Sequence, residues 1–233
     1  MRLLLISDGH GDLEKLDKLD SEFSQADCVL FGGDFAKFGE TETGLPFLQR
    51  LCKKHEKIYA VLGNCDEEIF IEQLENSDIS VVNSLLYSDG LVFIGSSGGS
   101  KFTGTTPFER DEFELAHDLH LVTDESEQDW SNLIAIMHNP PKDTNCDMIS
   151  GGIHVGSAIL REWIEEIQPL LVLTGHIHES AGIDKIGETV VINPGALCEG
   201  KYAVVELERL QKSSEKNAEN SWVIKDTKLC TLS

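Results

Sequence analysis

The sequence predicts an α/β fold with parallel or mixed sheet layers, on three observations. Short β-rich runs alternate with helical patterns through the first 80 residues. Several of those runs are continuously apolar, as strands covered on both faces are. The last runs then follow one another with no helix between them, as an antiparallel closing set does.

Each element has its own signature. "RLLLIS" (2–7) is an apolar run that reads as the first strand. "DLEKLDKLDSEF" (12–23) carries Leu13, Leu16, Leu19 and Phe23 at helical spacing. "CVLFGG" (28–33) is a second strand, "GLPFLQRLCKKH" (44–55) a helix and "KIYAVLGN" (57–64) a third strand. "DEEIFIEQLEN" (66–76) reads as a helix with Asp66 as its N-cap, and "DISVVN" (78–83) as a further strand. "LYSDGLVFIGSS" (86–97) has an Asp89-Gly90 hairpin signal between apolar runs. Residues 98–130 are Gly-rich and then acidic, with a helix expected near 107–120. "NLIAIMH" (132–138) is a buried-type strand, "GSAILREWIEEIQ" (156–168) a helix and "LLVLTG" (170–175) a strand. Runs at 188–192, 201–207 and 221–226 form the closing set, with the polar stretch 211–220 between the last two. There is no internal repeat and no dividing linker. A single domain over 1–233 is expected, with 211–233 a closing strand or C-terminal extension.

Composition narrows the function classes. A length of 233 residues, 40% hydrophobic and 26% charged, suits a globular protein with a real core. The net charge of -22 argues against broad nucleic-acid binding and against anionic membranes. It does not exclude a phosphate-handling site, because bound cations can reverse the local field. Six cysteines include no C-x-x-C pair, and Cys28 and Cys198 lie in or beside apolar stretches, as small buried hydrophobes do. The opening apolar run is too short for a signal core or a membrane span, so a reducing, cytoplasmic location is expected.

Polar residues recur just after the strand runs: Asp8 and His10, Asp34, Asn64, His138, and His176 with His178. In an open α/β sheet, ligands collect outside the carboxyl ends of the strands. A lone Asp there reads as a helix N-cap, and a lone His as a hydrogen-bonded core residue. Two carboxylates, four imidazoles and one amide at five strand ends are hard to reconcile with independent structural roles. The i, i+2 spacing of Asp8/His10 and of His176/His178 lets both members of each pair face one side in extended chain. Mixed imidazole and carboxylate donors suit Mn, Fe or Zn better than Ca or Mg.

The series D-x-H, G-G-D, G-N, a lone His after a strand, and G-H-x-H resembles the calcineurin-like metallophosphoesterases. The motifs stand in that family's order and cover about residues 1 to 207; "HNPP" and "GHIHES…NPG" look like its small prokaryotic-type branch. The resemblance implies a two-sheet sandwich of mixed β-strands flanked by helices. It also implies two divalent metal ions, one held by Asp8, His10 and His178 and the other by Asn64, His138 and His176, with Asp34 bridging. The implied activity is hydrolysis of a small phosphorylated substrate by a metal-bridging hydroxide. Phosphodiesters are the expected class. Phosphomonoesters, nucleotide pyrophosphates and a non-catalytic scaffold on the same fold are the alternatives.

Many family members read G-N-H-[DE] where this chain reads Asn64-Cys65-Asp66. That His is thought to protonate the leaving group, oriented by the following acid, so the resemblance puts Cys65 and Asp66 in catalytic positions. A thiol is a weaker acid than imidazolium, which favours substrates with better leaving groups. Metal ligand, nucleophile and inert packing stay open for Cys65. His154, in a Gly-containing loop leaving the His138 strand end, is a candidate substrate contact. His55, His117 and His120 read as solvated surface, and the rims at 97–130 and 139–155 are expected to set the substrate.

Overall fold

The computed structural model describes residues 1–102, 104–124, 130–210 and 221–232. In chain order the first elements are β1 (Arg2–Ile6), α1 (Leu13–Asp17), α2 (Asp20–Gln25), β2 (Cys28–Phe31), α3 (Gly44–Leu51), β3 (Ile58–Ala60) and α4 (Ile71–Asn76). The middle of the chain holds β4 (Leu86–Ser88), β5 (Leu91–Ser96), β6 (Gly99–Ser100), β7 (Glu109–Arg110), α5 (Glu112–His117), α6 (His120–Thr123) and β8 (Leu133–Met137). It ends with β9 (Met148–Ile149), β10 (Ile153–His154), α7 (Ala158–Ile167), β11 (Leu171–Thr174), β12 (Gly182–Ile186), β13 (Thr189–Asn193), β14 (Lys201–Arg209) and β15 (Trp222–Thr231).

The strands form two large mixed sheets. One has the order β15-β14-β1-β2-β3 and the other β12-β13-β11-β8-β5-β4. Helical crossovers make β1, β2 and β3 parallel, and likewise β5, β8 and β11, whereas β14 and β15 close the first sheet antiparallel. The run at 188–192, expected in that closing set, is instead β13, parallel to β11 in the second sheet. The period-2 alternation of strand side chains explains the continuous apolar runs. Leu3 and Leu5 point between the sheets with Leu30, Phe93, Ile136 and Leu173. Leu4 and Ile6 point the other way, into a layer with Leu16, Phe23, Phe47 and Leu51 from the helices. On the far side, Ala135, Met137 and Val172 pack on Leu115, Leu160 and Ile164. The result is the two-sheet sandwich flanked by helices. Among the described residues no helix is long and apolar enough to cross a membrane.

Several elements differ from the sequence reading. Residues 78–83 make two single bridges, Ala60↔Ser80 and Val82↔Gly95, because this segment steps from the edge of one sheet to the other. Left-handed turns at Asp78 (φ 55°) and Asn83 (φ 51°) bound the step. The helix expected at 12–23 is broken at Lys18–Leu19, and that expected at 107–120 is split into α5 and α6. Asp111 and Glu114 form a capping box that starts α5 late. β12 carries no continuous apolar run, since it is a half-exposed edge strand. The Asp89-Gly90 turn has both residues at positive φ and joins β4 to β5 as a hairpin. The polar stretch 211–220 lies outside the described residues.

Phe47 connects the core to the loop after β1. It is fully buried, and a Cβ on Gly9 would come within 2.3 Å of its ring, so the ring lies directly under that loop's backbone. Phe47→Ala is expected to cost about 3–5 kcal/mol in urea unfolding. A loss below about 1 kcal/mol would show that the helix layer does not support the loop.

Candidate metal centre

The loops that leave β1, β2, β3, β8 and β11 meet along one edge of the sandwich. Four of the strand-end residues sit at positive φ: Asp8 (55°), His10 (45°), Asp34 (60°) and His176 (67°). Side chains with a Cβ rarely adopt this region, and they hold it only where neighbours fix the backbone. Here Asp8 N–H donates to Gly33 O at 2.9 Å and His10 N–H to Asp34 O at 2.9 Å. His176 N–H donates to Asp8 Oδ1 at 3.1 Å, tying the last loop to the first.

The glycines of G-G-D and G-N permit a contact between backbones. A Cβ on Gly33 would meet Gly63 N at 2.5 Å, and one on Gly63 would meet Asp34 Oδ1 at 2.0 Å. Asp66, also in this contact, is 1% exposed and accepts N–H groups from Asp34 (3.0 Å), Phe35 (3.2 Å), Ala36 (2.8 Å) and Gly63 (2.9 Å). It is therefore no helix N-cap: the helical turn begins after Glu67, and the Asp66 carboxylate staples the loop after β2 to the loop after β3.

The seven side chains converge in two overlapping groups. In one, His10 Nε2 lies 3.1 Å from His178 Nε2, which lies 3.3 Å from Asp8 Oδ1. In the other, His138 Nε2 lies 2.9 Å from Asn64 Oδ1, with the His176 ring 5.2 Å from the His138 ring. Asp34 Oδ2 stands between them, 3.6 Å from both His10 Nε2 and His138 Nε2. Its other oxygen accepts Cys65 N–H at 2.8 Å, so residue 65 orients Asp34 through its backbone. His138 Nδ1 bonds Gly32 O at 2.7 Å and His10 Nδ1 bonds Ala36 O at 3.1 Å, leaving both Nε2 atoms turned toward the cluster.

The electrostatics fit divalent cations. Asp8 and Asp34 are 1% and 2% exposed, and their oxygens fall within one 4.8 Å group with His138. Burial and the Asp8 charge push Asp34 up, whereas Asp8, despite its burial, is held low by its hydrogen bond to His178 and by the surrounding imidazoles. Burial, reinforced by His138, brings His176 down to about 4, which keeps that imidazole neutral with a lone pair to offer. Among the described residues no arginine lines the adjoining cavity of about 560 Å³, and its lysine, Lys37, is paired with Glu40 at 2.6 Å. Two buried carboxylates with imidazoles but no arginine or lysine beside them are costly, and a divalent ion held by oxygen and imidazole donors removes that cost.

The other candidates fall in different places. Cys65 is 6% exposed and lines the cavity, with its sulfur in a 4.8 Å group with His10 and Asp34. Cys198, which the sequence offered only as a buried hydrophobe, groups in the same way with His10 and His178. Its loop follows β13, whose end delivers a sixth segment to this edge through Leu197 N–H to Ser7 O and Cys198 N–H to Asp8 O. His178 Nδ1 also has Glu199 Oε1 at 3.7 Å. His154 pairs with the buried Asp147 at 2.7 Å, and Asp147 also accepts Thr144 N–H and Gly156 N–H, so this pair organises the 139–155 loop. His117 and His120 pair with each other, their ring centroids 4.9 Å apart and their planes tilted by 44°. His55 bonds the backbone at Ala26 and Lys57.

Known proteins share both the sequence and the architecture. A curated but uncharacterized protein of Methanocaldococcus jannaschii is 31% identical over 200 residues, covering 83% of this chain and 88% of that protein. The crystal structure of protein TT1561 of Thermus thermophilus is similar with a TM-score of 0.71 at 18% identity, over 100% of this chain and 99% of that one. A structure described as a novel archaeal phosphodiesterase has a TM-score of 0.53 at 16% identity, over 99% and 100% of the two chains. The sequence profile of the calcineurin-like phosphoesterases matches residues 1–180, so the chain belongs to that family and is a metal-dependent phosphoric ester hydrolase.

Proposed function

We propose that the protein is a two-metal phosphodiesterase, and the observation that carries this reading is the position of Asp34 Oδ2, 3.6 Å from an imidazole of each ligand group. Asp8, His10 and His178 would hold one ion, Asn64, His138 and His176 the other, and Asp34 both. Two such ions supply Lewis acidity for the phosphoryl oxygens and lower the pKa of water toward about 7, with Mn the best match to the donors and Fe or Zn also suited. The chain's own residues fix geometry. Asp66 locks the Asp34 and Asn64 loops together, and the carbonyls of Gly32 and Ala36 set the His138 and His10 rings.

Two features support a diester over a monoester. Lys37 is engaged with Glu40, so among the described residues the cavity wall offers no unpaired lysine or arginine for a second phosphate charge. At position 65 a thiol, ordinarily near pKa 8.5, stands where an imidazolium would be the stronger acid, which limits the enzyme to esters whose leaving group needs little protonation.

Purified protein is expected to carry two divalent ions per chain by elemental analysis and to hydrolyse bis(4-nitrophenyl) phosphate with Mn. Asp34→Asn and His138→Ala should each lower that rate at least about 100-fold. A fully metallated protein inert toward a broad panel of diesters and monoesters would overturn the reading.

Cys65→His should leave metal content unchanged and raise turnover of alkyl diesters more than that of nitrophenyl diesters. An unchanged ratio between the two would remove residue 65 from leaving-group chemistry. Asp66→Ala strands four buried N–H groups and is expected to lower unfolding stability by about 3 kcal/mol or more and to weaken metal binding in titrations. Native metal affinity in a folded Asp66→Ala protein would show that the staple is dispensable.

A further inference from the structure

A second cavity of about 250 Å³ opens off the metal centre, sharing Asn64 and His176 with it. It lies between two short ribbons, β6–β7 and β9–β10, with Phe102, Ile149, Val155 and Ile177 in its wall. Its volume is below the roughly 300–1,000 Å³ of a whole small-molecule site, so it suits one group of a larger substrate whose phosphate sits at the metals.

Apart from Asn64 and His176, which this cavity shares with the metal centre, the polar side chains lining it are already engaged. Glu109 accepts N–H groups from Phe102, Gly104, Thr105 and Thr106 and the Thr106 hydroxyl, five donors against the roughly four lone-pair sites of a carboxylate. Lys101 pairs with Asp111 at 2.9 Å, and Ser100 N–H and Oγ both donate to Asn139 Oδ1. What the rim offers an incoming group is therefore apolar surface. At the mouth stands Phe102, 88% exposed although its own N–H is fixed to Glu109 at 2.8 Å. An exposed ring on a tethered backbone presents a face for stacking at little ordering cost.

We propose that this cavity is the subsite for the organic arm of the ester, that it takes an uncharged aromatic ring, and that Phe102 is the specificity-determining residue that stacks on it. The assignment rests on the phosphodiesterase reading for the position of the phosphate. It goes beyond that reading in naming the substrate class, phosphate esters with an aryl or other flat uncharged ring near the phosphorus.

The test uses phosphonates kept below their second pKa, so that each carries the single charge of a diester; their C–P bond is not an ester, and binding is read by calorimetry on the Mn-loaded protein. Phenylphosphonate is expected to bind about tenfold more tightly than methylphosphonate, with cyclohexylphosphonate between them. Phe102→Ala should bring the phenyl-to-methyl ratio to about twofold or less while leaving methylphosphonate affinity unchanged. Ile149→Ser should lower the ratio in the same direction. Equal affinities in the native protein, a ratio unmoved by Phe102→Ala, cyclohexyl binding as tight as phenyl, or no phosphonate binding at all would each overturn the proposal. A protein that shows the preference yet hydrolyses no ester would refute the phosphodiesterase reading and leave the subsite standing. One that hydrolyses diesters without the preference would refute the subsite alone.

Discussion

Four backbone N–H groups point at one buried carboxylate, that of Asp66, and the geometry of the metal centre depends on it. The donors come from two loops that are about 30 residues apart in sequence and have no secondary structure of their own to join them. Without an acceptor each of those groups would be a buried orphan costing on the order of 1–3 kcal/mol. With it, the Asp34 and Asn64 loops share one position, and the Asp34 oxygens are fixed between the ligand groups. The glycines around this staple follow from it, because backbones that meet through a shared carboxylate leave no room for a Cβ at Gly33 or Gly63.

The same arrangement reconciles an acidic protein with an anionic substrate. At -22 the chain repels phosphate at long range, and among the described residues the cavity wall supplies no unpaired lysine or arginine. Attraction would be confined to the point where imidazoles and two carboxylates are proposed to hold cations, so that the field changes sign over a few ångströms. Low affinity for polyanions in general and a strong pull on one phosphate group are compatible for that reason.

Much of the site can be read from sequence because parallel strands deliver their following residues to one edge. Asp8, His10, Asp34, Asn64, His138, His176 and His178 each follow an apolar run, and the topology brings them together. The role of Asp66 is not legible, since an Asp at the start of a helical pattern looks like an N-cap and nothing local reveals four donors arriving from elsewhere. Cys198 is hidden by its apolar neighbours, as its approach to His178 depends on how β13 lies against β11. The step at 78–83 escapes a sequence reading for a related reason: a segment passing between two sheets is as apolar as a strand within one, and periodicity cannot distinguish them. His154 shows only that its loop is special; the buried Asp147 that organises it lies seven residues earlier.

The left-handed backbone at Asp8, His10, Asp34 and His176 has a consequence for how this sequence can change. Each such conformation costs a residue with a Cβ on the order of 1 kcal/mol or more, a cost that glycine escapes. Glycine at any of the four positions would relax the local chain while deleting a donor from the centre. On the proposed reading, selection for stability alone would pull these positions toward residues that cannot do the chemistry, and only continued demand for the reaction would keep them. The most stable sequence for this backbone and the most active one differ at the floor of the cleft.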